Sequence, residues 1–183
     1  DRIIEYLDAH GLTPALLLIT HGHSDHIGGN EALKERWPDC PIVVGRRDAP
    51  KLSNPMLNLS AAFGAQLISP PADRLVDEGD TVDAAGLTMD VREIPGHSLG
   101  HVVFILRDTS PIVVLGGDVL FAGSVGRTDF PDGDFNQLQR GIHEKLFVLP
   151  DDTQILPGHG PPTTIGQEKR TNPFVGAPSG YLA

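Results

Sequence analysis

Apolar residues along this chain fall in short runs, separated by polar turns rich in glycine and proline. Residues 1–10 place Ile3, Ile4 and Leu7 on one face, which predicts an amphipathic helix stopped at Gly11. Leu16, Leu17, Leu18 and Ile19 read as a buried strand too short for a helix. Residues 30–37 predict a helix ended by Pro38, and Ile42, Val43 and Val44 a short strand. Through 46–69 the pattern is broken by Pro50 and Pro55, with helical turns expected around 56–63. Beyond it, 80–83 and 87–94 flank Ala85-Gly86 as a hairpin, and Leu87, Met89 and Val91 alternate with polar residues, so one face is buried. A second strand pair is expected at 101–106 and 112–115. Residues 136–149 predict a helix with Leu138, Ile142, Leu146 and Leu149 inward. A last strand at 154–156, a short helix at 167–170 and a loose tail at 176–183 complete the chain.

Length and composition narrow this picture. The 183 residues suffice for one domain, read as 1–175. Apolar content of 39% with 21% charged residues suits a folded soluble protein. No apolar stretch approaches the roughly 20 residues that span a bilayer, so no membrane association is expected. A formal net charge of -10, with no Lys/Arg run to offset it, excludes nucleic acid as an expected partner. The single cysteine, Cys40, cannot form an intrachain disulfide and fits a reducing, cytoplasmic setting. The chain opens at Asp1 without Met and shows no signal peptide, and is read as a truncated or processed piece.

The chemistry lies where strands end. Four times an apolar strand runs into a turn bearing a metal-competent side chain. After 16–19 come His21, His23, Asp25 and His26; after 89–94, through Pro95-Gly96, comes His97. After 112–115, through Gly116-Gly117, comes Asp118; after 154–156, through Pro157-Gly158, comes His159. Five of the eight histidines fall in these turns, which polar surface loops do not readily explain. Imidazole is the commonest transition-metal ligand, and carboxylates complete sites for zinc or iron. The i, i+2 spacing of His21 and His23 can aim two rings at one ion. A catalytic zinc takes three protein ligands and leaves a position for water. Seven donors therefore fit two ions if one carboxylate bridges. The expected sets are His21, His23 and His97 on one ion, and Asp25, His26 and His159 on the other, with Asp118 shared.

Thr20 to His26, with Gly96-His97, Gly117-Asp118 and Gly158-His159, resembles the metallo-β-lactamase-fold hydrolases across nearly the whole chain. That resemblance implies an α/β fold, an αββα four-layer sandwich of two mixed sheets flanked by helices, with the metals at one rim. It implies the same ion sets. Family members carry extra strands before the first helix, and their absence here would leave a sheet edge exposed. Asp118, where a true β-lactamase typically has Cys, argues against that activity. Gly126-Arg127-Thr128-Asp129-Phe130 and Thr171-Asn172-Pro173-Phe174 are similar to the short bacterial glyoxalase II-like group, the hydroxyacylglutathione hydrolase-like enzymes. The resemblance implies a dinuclear hydrolase acting on an acylglutathione-like thioester.

Elementary chemistry agrees with such a substrate. Two cations roughly 3.5–4 Å apart can hold a shared hydroxide and polarise a carbonyl. A thiolate leaving group, with a thiol pKa near 8.5, needs little acid assistance, whereas an amide needs a proton donor. Asp25 and Asp118 are the expected catalytic carboxylates, Asp25 orienting the nucleophile as it ligates. The expected cofactors are two divalent ions, zinc first, with iron or manganese acceptable to the same donors. His101 is a candidate to hold a ligand in place or simply a satisfied histidine. Arg127 is a candidate substrate clamp, or a partner of Asp129. His143 is expected to be solvated. The rival reading is a persulfide dioxygenase of the same fold, with one iron on His21, His97 and Asp118. A zinc-stabilised binding module with a closed site is a third class. No oligomeric state is implied.

Overall fold

Each of two units, Asp1–Val76 and Asp77–Ala183, is built on its own β-sheet. The computed structural model describes residues 2–182.

The first unit begins with helix α1 (Arg2–Ala9) and carries three parallel strands, β1 (Leu17–Ile19), β2 (Ile42–Gly45) and β3 (Arg74–Val76), in the order β1-β2-β3. Ile42, Val43 and Val44 are wholly buried, as an unbroken β-branched run in a central parallel strand should be. Between β1 and β2 lie α2 (Ser24–Ile27) and α3 (Asn30–Arg36). Ile27 and Leu33 from these helices pack with Leu17, Ile19, Ile42, Val44 and Leu52. Helix α3 stops at Arg36 because Pro38 bars Trp37 from helical geometry, and Trp37 takes φ -132°. The proline-broken stretch resolves into two 3-10 turns, Ala49–Lys51 and Ser60–Phe63. Asn58 ties them together, its amide donating to the Lys51 and Leu67 carbonyls and its oxygen accepting from the Ser60 N–H. Strand β3 carries no apolar pattern, since two of its three residues are exposed, and the sequence does not announce it. Cys40 is buried, and burial pushes its thiol up, as suits an inert core cysteine.

Asp73 secures the entry to β3. Its carboxylate accepts the Ile42 N–H at 2.8 Å and the Lys34 ammonium at 3.2 Å. The Ile42 hydrogen bond, helped by Lys34 and opposed by burial, holds this carboxyl below the usual range. A folded-state value below the unfolded one means stabilisation that is complete above about pH 4 and lost as pH falls through the folded value. The stability gap between the wild type and Asp73→Asn should therefore be wide at neutral pH and narrow steadily in acid. Urea midpoints measured down the pH scale check this; a gap independent of pH would refute it.

The second unit holds a six-stranded mixed sheet, ordered β11-β10-β7-β6-β5-β4. Strands β4 (Thr81–Ala84), β5 (Leu87–Glu93), β6 (Val102–Leu106) and β7 (Val113–Gly117) form an antiparallel meander. A ribbon of β8 (Leu120–Phe121) and β9 (Ser124–Val125) follows. Strand β10 (Gln154–Pro157) lies parallel to β7, and β11 (Thr163–Thr164) closes the edge antiparallel to it. Helix α4 (Phe135–Gly141) continues as a π-helical turn, Ile142–Leu146, so the expected long helix changes its pitch midway. All four expected inward residues, Leu138, Ile142, Leu146 and Leu149, are buried, packed with Ile94, Val103, Ile105, Val114 and Ile155. Helix α5 (Ile165–Thr171) comes last. Beyond residue 175, where the sequence suggests a loose tail, the chain makes one 3-10 turn and Tyr181 packs on Phe147 and His143. His143 is held rather than solvated: its Nε2 donates to the Val175 carbonyl at 2.8 Å.

Candidate metal centre

Each unit gathers its own donors at strand ends. In the first, β1 stops at Ile19 and the chain stays extended through His23, which caps α2 with φ -70° and ψ 151°. His21 and His23 are both buried, their rings edge to face with centroids 4.7 Å apart. One turn of helix then swings His26 back, its ring centroid 4.0 Å from that of His21. Asp25 sits exposed beside it, with its carboxylate 3.5 Å from His26 Nε2. The short helix is what lets neighbours in sequence contribute from different directions.

In the second unit three separate strand ends meet. His97 follows Gly96, whose φ of +125° and position 2.4 Å (for a hypothetical Cβ) from the Asp134 carbonyl admit only glycine. His97 Nδ1 lies 2.9 Å from the Arg127 carbonyl oxygen, which can only accept. Nδ1 therefore carries a proton, and Nε2 faces Asp118, 3.6 Å away. His159 Nε2 lies 3.6 Å from the same oxygen, Asp118 Oδ2. These separations are beyond hydrogen-bond reach. They match the about 3.4 Å that separates two donors on one tetrahedral cation with bonds of about 2.0–2.2 Å. The donor set thus fits divalent metal, with the carboxylate oxygen placed between two imidazoles. Asp118 is nearly buried while the His159 side chain is 57% exposed, so the cluster opens to solvent on that side.

Supporting contacts surround Asp118. Its backbone N–H donates to His101 Nε2 at 3.0 Å, so His101 is neutral at that atom and holds the backbone of the turn. The β8–β9 ribbon folds back so closely that a Cβ on Gly126 would stand 1.9 Å from the Asp118 carbonyl oxygen. Gly126→Ala should cost about 3 kcal/mol of stability through overpacking against backbone. A urea midpoint unchanged from the wild type would contradict this contact.

Arg127 is committed locally. Its guanidinium makes two 2.9 Å hydrogen bonds to Asp129 and lies 4.5 Å over the Phe130 ring. Arg127 accordingly holds the Asp129 carboxyl below its usual range. The backbone of this stretch orients His97 while its side chains brace one another. The Thr171-Asn172-Pro173-Phe174 stretch is a fastening too. Asn172 is fully buried, donating to the Ser124 carbonyl and to Glu168, and accepting the N–H groups of Phe174 and Val175. Buried Glu168 also accepts from Thr163 and from the Gly123 N–H at the ribbon tip. Glu168 is a fastening that sequence reasoning missed, because a single buried charge leaves no periodic trace.

Imidazoles and carboxylates clustered at strand ends of an α/β scaffold define a metal-dependent enzyme. The chain belongs to the metallo-beta-lactamase superfamily, which residues 1–159 match, and has its fold. It is 38% identical over 182 residues to the hydroxyacylglutathione hydrolase GloC of Haemophilus influenzae (strain ATCC 51907 / DSM 11121 / KW20 / Rd), covering 98% of this chain and 84% of that protein. Among solved structures, BLEG-1, a B3 metallo-beta-lactamase, superposes with a TM-score of 0.90 at 38% identity, over 95% of this chain and 83% of that one. TTHA1623 in a di-iron-bound form superposes with a TM-score of 0.83 at 37% identity, over 94% and 83%. Among the described residues no helix is long and apolar enough to cross a membrane.

Proposed function

We propose that the protein is a dinuclear metal-dependent hydrolase that cleaves small-molecule thioesters of the acylglutathione kind, without nucleic acid or membrane as partner, in the cytoplasm. One observation carries the reading: two imidazole Nε2 atoms stand 3.6 Å from a single oxygen of Asp118. His21, His23 and His97 would hold one ion and Asp25, His26 and His159 the other, with Asp118 available to both. The likeness to GloC supports the thioester class. Zinc is the proposed native pair, although the likeness to a di-iron protein and the donor chemistry admit iron, as they do manganese.

Bound divalent ions would lower the pKa of water toward about 7 and polarise the acyl carbonyl. The protein does the rest. The Arg127 carbonyl fixes the His97 tautomer, and His101 anchors the backbone of Asp118. Asp25, exposed at the head of α2, accepts a hydrogen bond from the attacking water and orients it. The thiolate departs without a protonated side chain, because it is a weak base, with a conjugate thiol pKa of about 8.5, and leaves unprotonated near neutral pH. The Arg127 side chain takes a substrate carboxylate only by giving up Asp129.

Protein purified without added metal should contain two ions per chain and hydrolyse an acylglutathione. The same panel should include a persulfide with oxygen and a β-lactam. One iron per chain with oxygen uptake, or turnover of the β-lactam alone, would overturn the thioesterase reading.

A further inference from the structure

Behind the first histidine turn lies a buried ion pair that the proposed reaction does not use. Asp48 has no exposed surface and Lys51 is 6% exposed. They bracket the 3-10 turn Ala49–Lys51, with Lys51 Nζ 3.4 Å from Asp48 Oδ1. The other carboxylate oxygen, Oδ2, accepts the N–H of Gly22 at 2.8 Å. Gly22 is the residue between His21 and His23. The approach leaves no space for a side chain there: a Cβ on Gly22 would stand 2.6 Å from Lys51 Cβ and 3.0 Å from the Asp48 carbonyl oxygen.

Stability is a weak reason to bury such a pair, since apolar residues of similar volume avoid the desolvation that both charges suffer. A reason lies in what the carboxylate holds. A hydrogen bond from N–H to an ionised carboxylate is shorter and stronger than one to a neutral acceptor. The lysine fixes the carboxylate rotamer, and the carboxylate fixes the peptide between two buried imidazoles. We propose that Asp48, oriented by Lys51, is a positioning residue that pins the His21–His23 backbone so that both rings address the same cation. This rests on reading His21 and His23 as ligands. The device acts on geometry, so it should show in metal affinity and coordination before it shows in turnover.

Two double variants isolate the hydrogen bond. Asp48→Asn/Lys51→Met keeps an acceptor for the Gly22 N–H, and Asp48→Leu/Lys51→Met removes it; neither leaves an orphaned charge. Metal-stripped full-length protein is titrated with Zn²⁺ against a chromophoric chelator, and with Co²⁺ to read the visible spectrum. The asparagine variant should bind within a few-fold of the wild type. The leucine variant should bind about 10–100-fold more weakly, as loss of a ligand-orienting partner does, with an altered Co²⁺ spectrum. Equal affinities in the two variants, with normal binding by the wild type, would overturn the positioning role and leave the ligand assignment standing. A wild type that binds neither ion would overturn both. Should the leucine variant fail to fold, the wild type carries the test: before metal is added, the Gly22 amide should resist hydrogen exchange, and free exchange would overturn the role.

Discussion

Asp118→Ala should release both cations together and lower thioester hydrolysis by more than about 100-fold, the upper range for losing even an outer partner of a metal ligand. The argument is geometric. A single oxygen, Oδ2, stands 3.6 Å from the Nε2 of His97 and 3.6 Å from that of His159. If those imidazoles serve different ions, that oxygen is common to both. The fold should survive, because the N–H that donates to His101 belongs to the backbone and persists in the variant. Elemental analysis beside circular dichroism decides the matter. Loss of one ion with the other retained would show that Asp118 does not bridge.

His97→Ala, or His21→Ala, should bring metal content from two ions toward one and abolish turnover. His97 is buried, and its Nδ1–H is engaged with the Arg127 carbonyl, so its Nε2 is the nitrogen left to face Asp118. Removing it also leaves that carbonyl without its donor. The damage should therefore exceed that of an exposed histidine such as His10, whose replacement should leave metal and activity unchanged. Full activity in either ligand variant would refute the assignment of ions. Asp118→Ala and His97→Ala should be distinguishable from each other by stoichiometry alone.

How much of this was legible beforehand differs by element. The 16–19 and 42–44 strands, the hairpin and the inward face of the long helix declared themselves, because burial of a regular element imposes a period on apolar residues. Strands β3, β8, β9 and β11 did not, being two or three residues long and largely exposed or half-buried. The π turn after Gly141 was equally silent, since a one-residue change of pitch leaves the apolar spacing almost intact.

The same divide runs through the site. The sequence by itself determined which donors exist and that they sit at strand exits, since His21, His23, Asp25 and His26 are neighbours in the chain and ligand chemistry is local. Only the tertiary structure decided that His97, Asp118 and His159, each on its own turn, converge on one carboxylate oxygen. It also decided that Asp48 reaches Gly22 from 26 residues away, and that Asn172 is a fastening. The physical reason is that hydrogen bonds and close backbone approach act over a few ångströms in space. Their effect on composition and periodicity is a single residue, which carries no pattern until the chain has folded.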